Sequence, residues 1–191
     1  AVDPSRIYAA GFSYGGWTAL SAGGLQGYLA GHAEHGAAAV TRSSHCADLA
    51  EWGFDFGTAD PAAWDASYRD PRVTRVAAID PGLTYGVTNV SGLAVPALLI
   101  GLGAGTDRLM ATDTTSAGSG FGPRLMAARG DSKIVEIAPA AQFTALLPCT
   151  EKGAFILEEE KDDPVCTDPA GTDRAAVHGR IVEEVAGFFG L

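Results

Sequence analysis

A serine framed by glycines, Gly11-Phe12-Ser13-Tyr14-Gly15, is the segment of this chain best suited to chemistry. A Gly-x-Ser-x-Gly string has force only where a strand ends and a helix begins, because a tight turn there lifts the hydroxyl above the sheet as a nucleophile. Side chains at Gly11 or Gly15 are expected to collide with neighbours, and Gly16 to let the helix approach the sheet. The backbone N–H of Tyr14 falls at the helix start, where it can stabilise a developing oxyanion. Such a serine needs an imidazole to take its proton and a carboxylate to orient the imidazole. Two aspartates follow predicted strands. Asp107 is the preferred acid and Asp80 the alternative. The base is harder to find, since the loop after the last predicted strand, Ala138-Pro139-Ala140-Ala141-Gln142-Phe143, holds no histidine. His178, in the final predicted helix, reads as a surface or edge residue beside the apolar stripe. His32, His35 and His45 precede both acids. His32 and His35 have a spacing that could share a metal ion, but no third ligand is apparent, so neither metal nor cofactor is expected.

These residues must be positioned by an alternation of strands and helices. Ile7 to Phe12 reads as a short buried strand, and Tyr14 to about Gly24 as a helix with a glycine-rich first turn. Residues 30–72 hold several aromatics (Trp52, Phe54, Phe56, Trp64, Tyr68) and two Asp-Pro turns, which suggests helical insertions over the sheet edge, as in a cap. The aromatics could line an acyl pocket or simply fill a core. Val73 to Ile79 reads as the next strand. Val95 to Gly101 is a continuous apolar run, as expected where helices cover both faces of a parallel sheet. Lys133 to Ile137 gives a fourth strand. From Asp173 to Phe189, Val177, Ile181, Val185 and Phe188 recur at helical spacing. The fold class is therefore α/β with a mainly parallel sheet and helices on both faces.

Composition excludes several roles. Among 191 residues 47% are apolar, enough for one domain with a substantial core. The net charge of −10 argues against nucleic acid, because little here would neutralise phosphates. No apolar run reaches the roughly 18 residues that span a bilayer. The run Glu158-Glu159-Glu160-Lys161-Asp162-Asp163 reads as a solvated acidic loop, with calcium as its alternative use. Cys149 and Cys166 flank this polar segment, which lacks obvious regular structure. A disulfide between them would stabilise it by roughly 3 kcal/mol and point to a secreted or periplasmic protein. Three unrelated thiols, Cys46 included, are the competing reading.

Together these segments resemble the dienelactone-hydrolase-like bacterial proteins related to platelet-activating-factor acetylhydrolase. The likeness rests on Asp3-Pro4-Ser5-Arg6-Ile7 leading into Gly11-Phe12-Ser13-Tyr14-Gly15-Gly16, on Asp70-Pro71-Arg72-Val73 with Ile79-Asp80-Pro81, and on Val95-Pro96-Ala97-Leu98-Leu99-Ile100 with Asp107. A distinctive tail adds Phe143, Leu146-Leu147-Pro148-Cys149, Val165-Cys166, Asp173-Arg174 and His178. The resemblance implies an α/β-hydrolase fold, of which residues 1–191 form the C-terminal part, and supports pairing of Cys149 with Cys166. It implies that preceding strands are supplied as an N-terminal half, in another chain or removed. It also implies a serine esterase acting on a small ester or lactone through an acyl-enzyme on Ser13. Where the family carries its catalytic histidine, directly before the aromatic that Phe143 matches, this chain has Gln142. A carboxamide hydrogen-bonds but accepts no proton near neutral pH. Three outcomes follow: an impaired hydrolase, an inactive homologue that binds an ester- or lipid-like ligand, or an enzyme that recruits its base from the missing half or from a rearranged His178.

Overall fold

A computed structural model of the chain describes residues 3–39, 44–84, 86–87, 89–105, 121–161 and 163–191. Strand β1 (Ile7–Phe12) runs into helix α1 (Tyr14–Ala22), followed by α2 (Leu29–Ala39), α3 (Ser44–Glu51) and the short α4 (Pro61–Trp64). Then come β2 (Val73–Ile79), β3 (Ala97–Leu102), α5 (Phe121–Ala128), β4 (Lys133–Ile137), α6 (Glu151–Glu160) and α7 (Arg174–Phe189). The fold is mixed α/β, with a four-stranded parallel sheet in the order β1-β2-β3-β4. β1 pairs with β2 from Ile7↔Val73 to Phe12↔Ile79, and β2 pairs with β3 from Val76↔Ala97 to Ile79↔Ile100.

Burial explains why the strand signals differed in strength. Every residue of β3 is buried, as the uninterrupted apolar run requires, whereas β1, at one end of the described sheet, is only partly covered. Leu98, Leu99 and Ile100 lose all solvent contact, each contributing about 1.5–3 kcal/mol of apolar burial. Leu20 and Leu25 join Val76, Leu93, Leu99, Phe121 and Leu125 in the main core cluster. The Ser132 hydroxyl accepts a hydrogen bond from the Ala97 N–H at 3.0 Å, satisfying the entry to β3.

The chain forms two compact units: residues 1–101 with 110–135, and residues 102–109 with 136–191. The first contains the insertion, which is largely helical: α2, α3, a 3-10 turn at Phe56–Thr58 and α4 fill the stretch before β2. Asp55 and Asp60 initiate the last two by accepting from the N–H groups of Gly57 and Ala62. The second unit corrects one expectation. The acidic segment between Cys149 and Cys166 is not loop throughout but carries α6, capped by the Thr150 hydroxyl at the Gly153 N–H. None of its residues is buried, so the apolar periodicity that betrays a helix has no reason to be present. α7 begins and ends as its sequence demands, with Asp173 capping the Ala176 N–H and Gly190 left-handed at its C-terminus.

No helix among the described residues is long and apolar enough to cross a membrane. Cys149 and Cys166 form a disulfide with Cα atoms 5.6 Å apart, and the remaining thiol, Cys46, is buried.

Candidate functional site

The turn from β1 into α1 is built from close backbone contacts. Ser13 adopts φ 53 and ψ −121, a conformation that non-glycine residues rarely occupy and that costs about 1–3 kcal/mol. It is held there from both sides. The Ser13 N–H donates to the Ile79 carbonyl at the end of β2 (2.9 Å), and the Ser13 carbonyl accepts from Gly82 and Trp17 (both 3.1 Å). A serine before a helix ordinarily caps it, yet the Ser13 side chain makes no capping hydrogen bond to α1. Its hydroxyl is therefore not consumed by the helix it precedes.

Glycine is required at one place around this turn and eases packing at a second. A Cβ on Gly11 would lie 2.1 Å from the Gly15 carbonyl oxygen, which no relaxation of a backbone this constrained absorbs. A Cβ on Gly16 would come within 3.1 Å of Pro81, so the helix approaches the end of β2 as closely as expected. Gly15 departs from the expectation. A Cβ there meets nothing within 4 Å, because the crowding falls on its carbonyl rather than on its Cα.

Strain is concentrated at this edge. Of the four non-glycine residues with positive φ among those described, Ser13 (53°), Asp80 (39°) and Leu83 (61°) follow β1 and β2. Because Phe12 pairs with Ile79, Ser13 and Asp80 leave adjacent parallel strands at the same end. Asp80 is fully buried, and its N–H donates to the Ile100 carbonyl at 2.7 Å. Asp107, the preferred acid, lies outside the described residues. Tyr14 supplies the first N–H of α1. Its phenol is half-exposed, and its pKa is raised by partial burial, with the Cys46 thiol adding to the effect.

The aromatics of residues 30–72, which the sequence left between lining a pocket and filling a core, border a cavity beside Tyr14. This cavity, of about 250 Å³, is lined by Tyr14, His32, Leu49, Phe54, Phe56, Trp64 and Leu83. His32 is 2% exposed, with its ring 4.9 Å from Phe56 in an edge-to-face arrangement and 5.1 Å from Trp64. The aromatic richness of residues 30–72 was the available signal, but aromatics recruited to a cavity and aromatics filling a core look alike in sequence. Among the described residues, no cluster of His, Cys, Asp or Glu could hold a metal ion.

Gln142 stands in the second unit, where a separate set of contacts fixes it. It opens a 3-10 turn, Gln142–Ala145, that follows β4. The side chain is 5% exposed, and its Oε1 has no hydrogen-bond partner among the described residues. The turn itself is strongly braced. The Thr144 hydroxyl accepts from the Ala141 N–H (2.9 Å) and donates to Asp168 (2.7 Å). Arg174 grips Asp168 with two hydrogen bonds of 2.8 and 2.9 Å and spends its other N–H groups on the carbonyls of Leu146, Leu147 and Val165. All five guanidinium donors are thereby used. His178, half-buried on α7, contacts the Thr144 carbonyl at 2.7 Å through Nε2. A carbonyl only accepts, so Nε2 carries the proton. Bonds from Arg174 hold the Asp168 carboxyl below its ordinary pKa, aided by the Thr144 hydroxyl and the charges of Arg174 and His178 and opposed by partial burial.

Comparison with protein-family models, with curated proteins and with solved structures returned no match.

Proposed function

We propose that this chain is the C-terminal part of an α/β-hydrolase related to the dienelactone-hydrolase-like proteins, with Ser13 as a nucleophile that Gln142 leaves without its base. The observation that carries this reading is the strained Ser13, at a strand-to-helix turn, with its hydroxyl uncommitted to capping. Strain of this kind persists only where surrounding structure enforces it, and it gathers at sites that use it. The chemistry is acyl transfer. Ser13 Oγ attacks the carbonyl of an ester or lactone, the Tyr14 N–H receives the developing oxyanion, and water releases the acid. Either Asp107 or Asp80 serves as the acid, and Asp80 has the advantage of leaving a strand adjacent to that of Ser13. The disulfide suits a secreted or periplasmic setting, since oxidising compartments are where such bonds persist.

A second reading has its own support. The buried Gln142 carboxamide cannot accept a proton, so the same architecture could bind an ester- or lipid-like ligand without turning it over. Gln142→His separates the two. In an impaired hydrolase it raises kcat/KM on short-chain nitrophenyl esters by on the order of a hundredfold or more, the usual worth of a positioned general base. No gain, together with no labelling of Ser13 by a fluorophosphonate, would leave the binding reading standing.

A further inference from the structure

The cavity beside Tyr14 has a definite chemical character. Two of its lining residues are tied to the Ser13 turn: Tyr14 is the next residue, and Leu83 follows Gly82, whose N–H donates to the Ser13 carbonyl. The remaining wall comes from the insertion, with His32 on α2, Leu49 on α3, Phe54, Phe56 and Trp64. No carboxylate, ammonium or guanidinium lines it. Phe54 and Tyr14 remain 47% and 50% exposed, so the mouth presents apolar area to water that an apolar occupant would cover.

A second cavity of about 270 Å³ shares Leu49, Phe54 and Phe56 with the first among its lining residues. It is lined by small groups such as Ala33, Gly36 and Ala50, with Cys46. Its one carboxylate, Asp55, is engaged with the Gly57 N–H at 2.7 Å. Leu49 thus borders both cavities, of which only the first includes Tyr14 and Leu83 among its lining residues.

We infer that the first cavity receives the acyl chain of the ester, and that Leu49 sets its length. This deepens the proposed function and rests on the reading of Ser13 as nucleophile. A methylene is close to a water molecule in size, about 30 Å³. The 250 Å³ of the cavity thus accommodates an unbranched chain of roughly eight carbons or fewer. Shortening Leu49 to Ala removes bulk that borders both cavities and admits longer chains, while Leu49→Trp fills the cavity and favours shorter ones. The two substitutions act in opposite directions, which a general loss of folding cannot imitate.

The test is the rate at which n-alkyl p-nitrophenyl phosphonates, from ethyl to dodecyl, label Ser13, followed by intact mass. It is made in the full chain and in the Gln142→His background. In this reaction the Ser13 Oγ–P bond forms, the bond to nitrophenolate breaks, and the serine proton passes to solvent. The rate is expected to climb about fourfold per methylene, then stop near eight carbons. The optimum should move to longer chains in Leu49→Ala and to four carbons or fewer in Leu49→Trp. Labelling of Ser13 that ignores chain length, or an optimum that neither substitution moves, overturns the acyl-pocket assignment and leaves the nucleophile reading intact. Absence of labelling with every probe and in both backgrounds overturns the nucleophile reading itself, and this assignment with it.

Discussion

The Ser13 turn and the Gln142 turn are held in place by different physics. Ser13 is fixed by backbone: parallel strand pairing, two hydrogen bonds to its carbonyl, and a glycine that admits no Cβ. The turn that Gln142 opens is braced by side chains, the Thr144–Asp168–Arg174 network and the His178 contact, and the Cys149–Cys166 disulfide lies in the same unit. The first kind of support is steric and indifferent to pH or redox conditions. The second depends on charge and on oxidation. A strained turn enforced by packing and an ionic brace around a loop should therefore fail under different insults.

The largest effect is expected from Gly11→Ala. Its Cβ would sit 2.1 Å from the Gly15 carbonyl oxygen, so urea denaturation should show a loss of about 3 kcal/mol, and fluorophosphonate labelling of Ser13 should fall with it. A change under 1 kcal/mol would mean that the turn relaxes freely. Next comes the disulfide, whose removal by Cys149→Ser with Cys166→Ser should cost about 3 kcal/mol for a loop closed across a separation of 17 residues. Reduction of the wild-type protein should reproduce that shift in the denaturation midpoint without altering the reactivity of Ser13.

Asp168→Asn should cost about 2 kcal/mol at pH 7, because hydrogen bonds to a charged partner are lost and the Arg174 charge is left without its carboxylate. Its pH dependence follows from the lowered Asp168 pKa. The unfolded chain takes up the proton first, so the contribution is complete above the ordinary carboxylate value of 3.8 and fades as pH falls through the folded-state value below it. The gap between wild type and variant should therefore be full at pH 6 and close in strongly acidic buffer. A gap that stays constant with pH would dissociate the brace from the ion pair. The smallest effect is expected at Gly15→Ala, which should be neutral or stabilising by up to about 1 kcal/mol, since open space surrounds the added methyl and alanine favours the helix. A large destabilisation there would restore the crowding that the geometry denies.

Much of the frame was legible in the residues. β1, β2 and β4 occupy the segments expected of them, and α7 extends between the aspartate and glycine that cap it. These signals are local: β3, buried along its whole length, is apolar along its whole length, and a helix end must satisfy its own N–H and carbonyl groups. α6 escaped because an exposed helix bears no apolar stripe, leaving only Thr150 ahead of it as a sign. Thr144 and Asp168 escaped for another reason. Their value lies in contacts spanning 24 and 6 residues, and a threonine or aspartate in a polar segment looks the same with or without a distant partner.

The sequence by itself determined the alternation of strands and helices, the serine at a strand-to-helix junction and a loop after the last strand that carries Gln142 and no histidine. Only the tertiary structure decided that Ser13 is strained, that Gly11 and not Gly15 is the indispensable glycine, and that Leu49 borders two apolar cavities. Propensity and periodicity are written in neighbouring residues. Strain, close approach and cavity shape arise from chain segments that meet across the fold, and no local pattern encodes them.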